Sequence, residues 1–387
     1  MASPAPSLNN PLTSARSPSA YIPTLDGWRC VAISLVLFAH TYVWLGFGTT
    51  KLGRLLHYPA IGIHIRRSGE TGVGVFFCIS GFLITKLLVD HGMQLKSFYV
   101  RRAFRILPPA LVYLMCVSIL GALGLIAVHA REIVASLFFY RNYLDYNAWF
   151  TGHFWSLSIE EQFYLLWPSV LAFAGIKRSR VFLVFSILGI VVWRQMHWPL
   201  PPFAGFHTDM RLDAILCGCI MALSWPTLMP LIQKSPRVIM PAALIGFWAA
   251  DFWSVELKGI ADFSQAMLAC LLIASTVASP ARLLARLLEK SAVAWVGRMS
   301  YSIYLWQQFF LQPAGNPHWQ LPLRLAGIIA VAWVSYAFIE RPLIAVGRRL
   351  IDRRTRVEQV QRLLKLEEES TASCRSVSGA PIPKANT

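Results

Sequence analysis

Charge is what this chain has least of. Only 14% of its 387 residues are Asp, Glu, Lys or Arg, while 56% are hydrophobic. A soluble domain carries about 25% charge. The shortage excludes an ordinary soluble globule, and the apolar stretches recurring along the chain mark a polytopic membrane protein. Acidic residues are scarcest, 19 against 36 basic ones, for a net charge of +17. That excess would suit nucleic acid, but no RNA- or DNA-binding pattern accompanies it. Lys and Arg collect in the cytoplasmic loops of membrane proteins in any case, so no nucleic-acid partner is expected. Cysteine is sparse too. Cys30, Cys78, Cys116, Cys217, Cys219, Cys270 and Cys374 form no zinc-like cluster, so no metal is expected; six sit in apolar segments and read as small fillers. The first twenty residues lack the apolar core of a signal peptide. No internal repeat is visible, which weighs against an inverted-repeat transporter.

What is present is a series of apolar runs near the ~20 residues that a helical span needs. Ten are counted, at 28–46, 71–90, 107–129, 153–174, 181–197, 211–225, 238–253, 261–279, 299–312 and 321–340. The sixth, seventh and ninth are short, which leaves tilt or partial re-entry open. Basic residues support this count if the N-terminus is inside. The inner connections then hold Lys96, Arg101, Arg102 and Arg105, then Lys177, Arg178 and Arg180, then Lys234 and Arg237, then Arg282, Arg286, Lys290 and Arg298. The first outer loop is the exception, with Lys51, Arg54, Arg66 and Arg67; its length suits a functional element. The expected fold is an all-α, polytopic membrane helix bundle of about ten transmembrane helices with both termini cytoplasmic, in the inner membrane. Residues 1–21 are expected to be a disordered cytoplasmic tail, 22–346 the transmembrane domain, and 347–387 a charged, then disordered tail. Within that tail "RRLIDRRTRVEQVQRLLKLEEE" has the look of an amphipathic helix.

The segment "LDGWRCVAISLVLFAH" puts Arg29 and His40 eleven positions apart in an apolar run. On an α-helix eleven residues make about three turns plus ~20°, so both side chains share a face about 16 Å apart along the axis. Ionisable groups at such depth are costly and point to a site. The imidazole suits a general base or a proton carrier; a histidine bonded to a neighbouring helix is the plainer alternative. In "FYVRRAFRILPP", Arg102 and Arg105 are three apart and share a helix face. Guanidinium forks suit phosphate, although an ordinary inner loop also carries arginines. A ligand with phosphates at the inner boundary and a reactive end about 16 Å deeper would match both pairs. Coenzyme A has this shape.

At this point the motifs resemble the integral-membrane acyltransferase family 3, whose members O-acylate sugars and other extracytoplasmic acceptors. "LDGWRCVAISLVLFAH" is similar to the family's arginine–ten residues–histidine signature through Arg29 and His40. "GVGVFFCISGFLITKLL" is similar through Gly72, Phe77, Ser80 and Gly81, and "RRAFRILPP" through Arg102 and Arg105. "FWSLSIEEQFYLLWP" is similar through Trp155, Ser158, Glu160, Glu161, Phe163, Tyr164 and Pro168, and "SYSIYLWQQ" and "IERPL" resemble late signatures. The likeness covers about residues 22–345. It departs at Gln307, where many members have histidine. Some members also carry a C-terminal esterase-like domain; the tail is expected not to hold one, which leaves the acceptor less constrained.

The resemblance implies transfer of an acyl group, usually acetyl, from cytoplasmic acyl-CoA to a hydroxyl at the outer face or within the membrane. It implies that His40 is catalytic and that Arg29, Arg102 and Arg105 hold the donor; no permanently bound cofactor is expected. Ser80 and Gly81 read first as close helix packing, and as room for a pantetheine arm. Glu160 and Glu161 fall near the outer end of the fourth span, where one would orient His40 or meet acceptor hydroxyls, or where both favour a helix start. Tyr164 shares a face with Glu161. Trp155 suits a sugar ring or the interfacial aromatic belt. In "HTDMRLDAILCG", Arg211 and Asp213 pair with each other or line an acceptor pocket. Asp26, three residues before Arg29, pairs with it or caps the helix. The expected partners are acyl-CoA, a carbohydrate or lipid-linked glycan (O-antigen, lipopolysaccharide, exopolysaccharide or peptidoglycan) and the bilayer. The rival reading is a multi-span transporter with a proton-carrying histidine.

Overall fold

The computed structural model describes residues 21–44, 58–90, 92, 94–146, 148–200, 203–252, 257–279, 282–312, 320–353, 361 and 364. Lys51 and Arg54 of the basic loop, the Arg66 side chain, nearly all of both expected tails and Cys374 lie outside them. The described residues are helical with no strand. Lipid offers backbone N–H and C=O groups no partner, so helices satisfy them internally.

In chain order the helices are α1 (Pro23–Trp44), α2 (Tyr58–Asp90), α3 (Leu95–Ala122), α4 (Ala130–Leu137), α5 (Trp149–Gly152), α6 (Phe154–Met196), α7 (Thr208–Arg211), α8 (Asp213–Leu223), α9 (Trp225–Lys234), α10 (Pro236–Phe252), α11 (Lys258–Ala278), α12 (Leu283–Leu288), α13 (Ser291–Phe310) and α14 (Leu321–Ser335). Helix α14 continues through a π turn at Tyr336–Glu340 to residue 353. The expected fourth and fifth spans are the two arms of α6. They join at Gly175, whose φ of 72° is open to glycine at little cost, and Lys177, Arg178 and Arg180 follow the break.

Among the described residues four stretches are long and apolar enough to cross a membrane: Arg67–Asp90, Leu95–Ala122, Lys258–Ala278 and Leu321–Arg353. The pair α8–α9, bent by 82°, is a fifth candidate. The count therefore falls short of the expected ten. Part of the reason is chemical: Arg29 and His40 on α1, and Glu160 and Glu161 on α6, dilute the apolar runs that carry them. The outward surface is apolar, with Phe173 88% exposed and Phe185, Ile245 and Leu323 each 70% or more. Such a surface is a liability in water and ordinary against lipid.

Helix α1 packs on α2 and α13, and α2 packs on α8. Lipid is as apolar as leucine, so helices adhere through close contact and interhelical hydrogen bonds. A Cβ on Gly297 would stand 1.8 Å from the Asp26 carbonyl oxygen, and one on Gly81 would stand 2.0 Å from that of Ile215. Trp28 donates to Thr276 at 2.9 Å and Trp167 to Thr85 at 2.8 Å, tying α1 to α11 and α6 to α2. Overpacking such a crossing costs about 1–3 kcal/mol or more. Gly297→Val is accordingly expected to lower the melting temperature of detergent-solubilised protein. Gly74→Ala, whose added methyl meets nothing within 4 Å, is expected to leave it unchanged or raise it.

Candidate functional site

Helix α1 runs unbroken from Arg29 to His40, and each end of that stretch opens on its own cavity. The first, with about 690 Å³ of empty space, is lined by Arg29, Ser80, Arg102, Arg105, Ser156, Glu160, Ser300, Tyr301 and Tyr304, among others. The helix pattern sets this convergence, since Arg102 and Arg105 sit three apart on α3 and turn one face toward α1. Arg29 is held by Asp26 at 2.7 Å, and Asp26 accepts from Tyr21 Oη at 2.6 Å. Arg102 lies 3.6 Å over the Tyr164 ring, with Glu160 at 3.8 Å and Glu161 at 4.0 Å. Ser80 donates to Glu160 at 2.6 Å. Three guanidinium groups around one cavity make a good receptor for phosphate oxygens.

The second cavity, with about 1460 Å³ of empty space, holds His40. Its Nδ1 lies 3.0 Å from the Val36 carbonyl oxygen. A carbonyl only accepts, so Nδ1 carries the proton and Nε2 keeps a lone pair. The Trp149 ring meets His40 edge-on at 5.9 Å and donates its own N–H to the Gln308 carbonyl at 2.7 Å. Gln307 lies beside the imidazole. Arg141, in the segment after α4, is fixed by the carbonyls of Leu144 at 3.1 Å and Tyr146 at 3.0 Å. Val73 and Tyr304 line both cavities, so the two adjoin.

A third cavity, with about 530 Å³ of empty space, shares Glu70, Val73 and Trp155 with the second. Its wall is a charge network. Arg194 binds Asp213 through two contacts, 2.8 and 3.2 Å, and donates to the Gly259 carbonyl at 2.9 Å. Arg211 bonds Glu70 and reaches Asp262 at 3.4 Å. Lys258 contacts Asp262 at 2.9 Å and Glu70 at 3.3 Å, and Arg67 lies 3.4 Å from Asp262.

The sequence-derived residues therefore fall into groups. Arg29, Ser80, Arg102 and Arg105 line one cavity together. Glu160 and Glu161 stand against Arg102; of the two only Glu160 lines the arginine cavity, and neither lines that of His40. Opposite charge draws both to the guanidinium in a medium of low dielectric. Tyr164 is the ring beneath Arg102 and is buried. Ser158 is fully buried and donates to the Phe154 carbonyl at 2.8 Å, so it faces none of these three cavities. Gly81 serves the α2–α8 crossing rather than the arginine cavity. Trp155 lies between the second and third cavities, packed 4.7 Å from Phe206. Arg211 and Asp213 bond Glu70 and Arg194 respectively, not each other. Asp26 does pair with Arg29. Sequence reasoning missed His153, Tyr304, Glu70, Arg194, Lys258 and Asp262. The charged four carried a readable signal, ionisable side chains beside or inside apolar runs.

The described residues thus form a helical membrane protein in which an arginine cavity adjoins one that holds a half-buried histidine. The family model described as an acyltransferase domain matches residues 22–340, and the chain belongs to that family. It is similar to the peptidoglycan O-acetyltransferase OatA of Listeria monocytogenes, at 27% identity over 84% of this chain and 56% of the relative. It is similar to a putative peptidoglycan O-acetyltransferase of Bacillus subtilis, at 28% over 88% and 58%, and to an O-acetyltransferase of Staphylococcus aureus, at 28% over 84% and 58%. The chain thus spans a little over half the length of these curated relatives. No solved structure matches.

Breaking a buried ion pair from one side strands the other charge, at about 3–5 kcal/mol. Arg194→Met is expected to destabilise the protein by that order, read as a lower melting temperature in detergent. The double variant Arg194→Met with Asp213→Asn is expected to regain part of the loss.

Proposed function

We propose that this chain is a membrane O-acyltransferase that moves an acyl group, acetyl foremost, from cytoplasmic acyl-CoA to a hydroxyl of a cell-envelope carbohydrate. The observation that carries this reading is the pair of adjoining cavities along α1, arginines at one and His40 at the other. Arg29, Arg102 and Arg105 take the phosphates of the donor. The pantetheine arm passes Val73 and Tyr304 to bring the thioester to His40. His40 Nε2 removes the acceptor hydroxyl proton as the oxygen attacks, or carries the acyl group itself for one step. Acyl-CoA is a substrate here, and no resident cofactor takes part.

For the acceptor, the names of the relatives favour peptidoglycan or another envelope glycan; O-antigen, lipopolysaccharide and exopolysaccharide are further acceptors of the same class. Glu160, Glu161 and Tyr164 are then assigned to holding Arg102, and Trp155, Arg211 and Asp213 to the acceptor side. In the same reading the protein sits in the inner membrane as ten spans, with both termini cytoplasmic; residues 22–346 form the catalytic domain between two tails.

The test is turnover of labelled acetyl-CoA by purified protein in nanodiscs with an envelope glycan extract. Wild type is expected to release free thiol and move label into glycan, and His40→Ala to lose about 10²–10⁴-fold in rate while still binding coenzyme A. Equal rates for the two would remove His40 from the chemistry. No coenzyme A binding by folded wild type would overturn the donor assignment and favour the transporter reading.

Arg102→Ala is expected to weaken coenzyme A binding about 10- to 100-fold, the worth of a hydrogen bond to a charged group. The loss is expected to be much smaller for dephosphorylated pantetheine, in titration calorimetry.

A further inference from the structure

The polar groups around the His40 cavity are almost all engaged. Arg141 is spent on main-chain carbonyls and Thr151, Asn142 donates to Thr208, and Trp149 donates to the Gln308 carbonyl. Tyr304 donates to the His153 carbonyl at 2.9 Å. The exceptions are Gln308, whose Oε1 can only accept, and His153. His153 lines this cavity and is 3% exposed, yet neither ring nitrogen has a hydrogen-bond partner among the described residues. A buried polar group left so is uncommon and calls for a reason.

The ring is positioned without using its nitrogens. Tyr113 meets it edge-on at 5.2 Å, Phe154 at 4.9 Å and Tyr304 at 5.5 Å. Aromatic contact on three sides fixes the plane of the imidazole. Its main chain is held as well, by the Tyr304 hydroxyl. The result is a fixed imidazole on the wall of the chamber that contains His40, with both nitrogens buried and unpartnered among the described residues.

Resting on the acyl-transfer reading above, we propose that His153 donates a hydrogen bond to the acyl carbonyl oxygen as charge develops on it. The acceptor oxygen bonds to the thioester carbon, its proton passes to His40 Nε2, and the C=O electron pair moves onto the carbonyl oxygen. That oxyanion takes the N–H of neutral His153. When the intermediate collapses, the C–S bond breaks and the thiolate recovers the proton from His40. A fixed donor aimed at a developing oxyanion away from water is worth about 10²–10³-fold in kcat.

Wild type, His40→Ala, His153→Leu, His153→Phe and His153→Gln are compared in nanodiscs with labelled acetyl-CoA and glycan extract. Monodisperse elution and coenzyme A binding report folding. His153→Leu is expected to lose about 10²–10³-fold in kcat, with KM for both substrates unchanged, and His153→Gln, which keeps an N–H, to recover part of it. If the Leu variant does not fold, His153→Phe fills the aromatic cage and is read instead. Wild-type kcat in the folded donor-less variant would overturn the inference. A loss carried wholly by the acceptor KM, or Gln as inactive as Leu, would overturn it too. Wild type with no His40-dependent transfer would overturn the transfer reading and the inference with it. A His40-dependent enzyme indifferent to His153 would overturn the inference alone.

Discussion

Inside a bilayer a charged side chain must find its partner within the protein, and this constraint places most of the helices here. Water is not present to soften the cost of an unpaired ion. Arg194, 1% exposed, therefore brings α6 against Asp213 at the start of α8 and against the Gly259 carbonyl of α11. Arg211, Lys258 and Arg67 converge on Asp262 and Glu70 and so bind α2, α7 and α11 into the same knot. Arg102, on α3, is held by the two carboxylates and the tyrosine of α6. Apolar packing in lipid has no water to escape from, so these pairs and the glycine crossings carry the specificity of the arrangement.

The same constraint shapes the site. Three arginines line one cavity and repel one another, and only one carboxylate, Glu160, lines it with them, while Asp26 and Glu161 contact Arg29 and Arg102 from outside the lining. That excess of cations on the lining suits the cavity to an anion. The His40 cavity is built the other way. Its cation, Arg141, is held by carbonyls, His153 is caged by aromatic rings and His40 meets Trp149 edge-on. One end of α1 is thus suited to holding a charged ligand and the other to moving a proton. The rigid helix between them sets a fixed distance, about 16 Å by helical rise.

Much of this was legible in the sequence because helix geometry is local. Arg29 with His40, and Arg102 with Arg105, needed only the 3.6-residue period to be placed on common faces. The acyltransferase class was legible in ordered motifs. What was not legible was which helix faces which. Glu160 and Glu161 could not be assigned to Arg102 rather than to His40 without knowing that α6 lies against α3. Arg211 and Asp213, two apart, read as one pair or as the lining of a pocket; they belong to two pairs, both on the wall of the third cavity. Four or five stretches of the described residues pass a strict test of length and apolarity, against the ten counted, because the site itself makes helices such as α1 polar. His153 gave no signal at all: a single histidine at the start of a helix is indistinguishable in sequence from a terminal residue facing solvent.

Tyr304 shows why the two cavities act as one device under the proposed chemistry. It lines both, and its hydroxyl is tied to the His153 carbonyl and to Ser156 at 2.6 Å. Ser156 in turn lines the arginine cavity. A ligand arm passing this point runs beside the residue that fixes the His153 main chain. Filling the donor cavity and arranging the carbonyl-binding wall are therefore mechanically linked through one hydroxyl. Under that proposal the acyl group is presented where the imidazoles stand, while the phosphates stay with the arginines. The acceptor then needs to reach only the His40 cavity, from the side of Trp155 and the charge network, and never the arginine cavity.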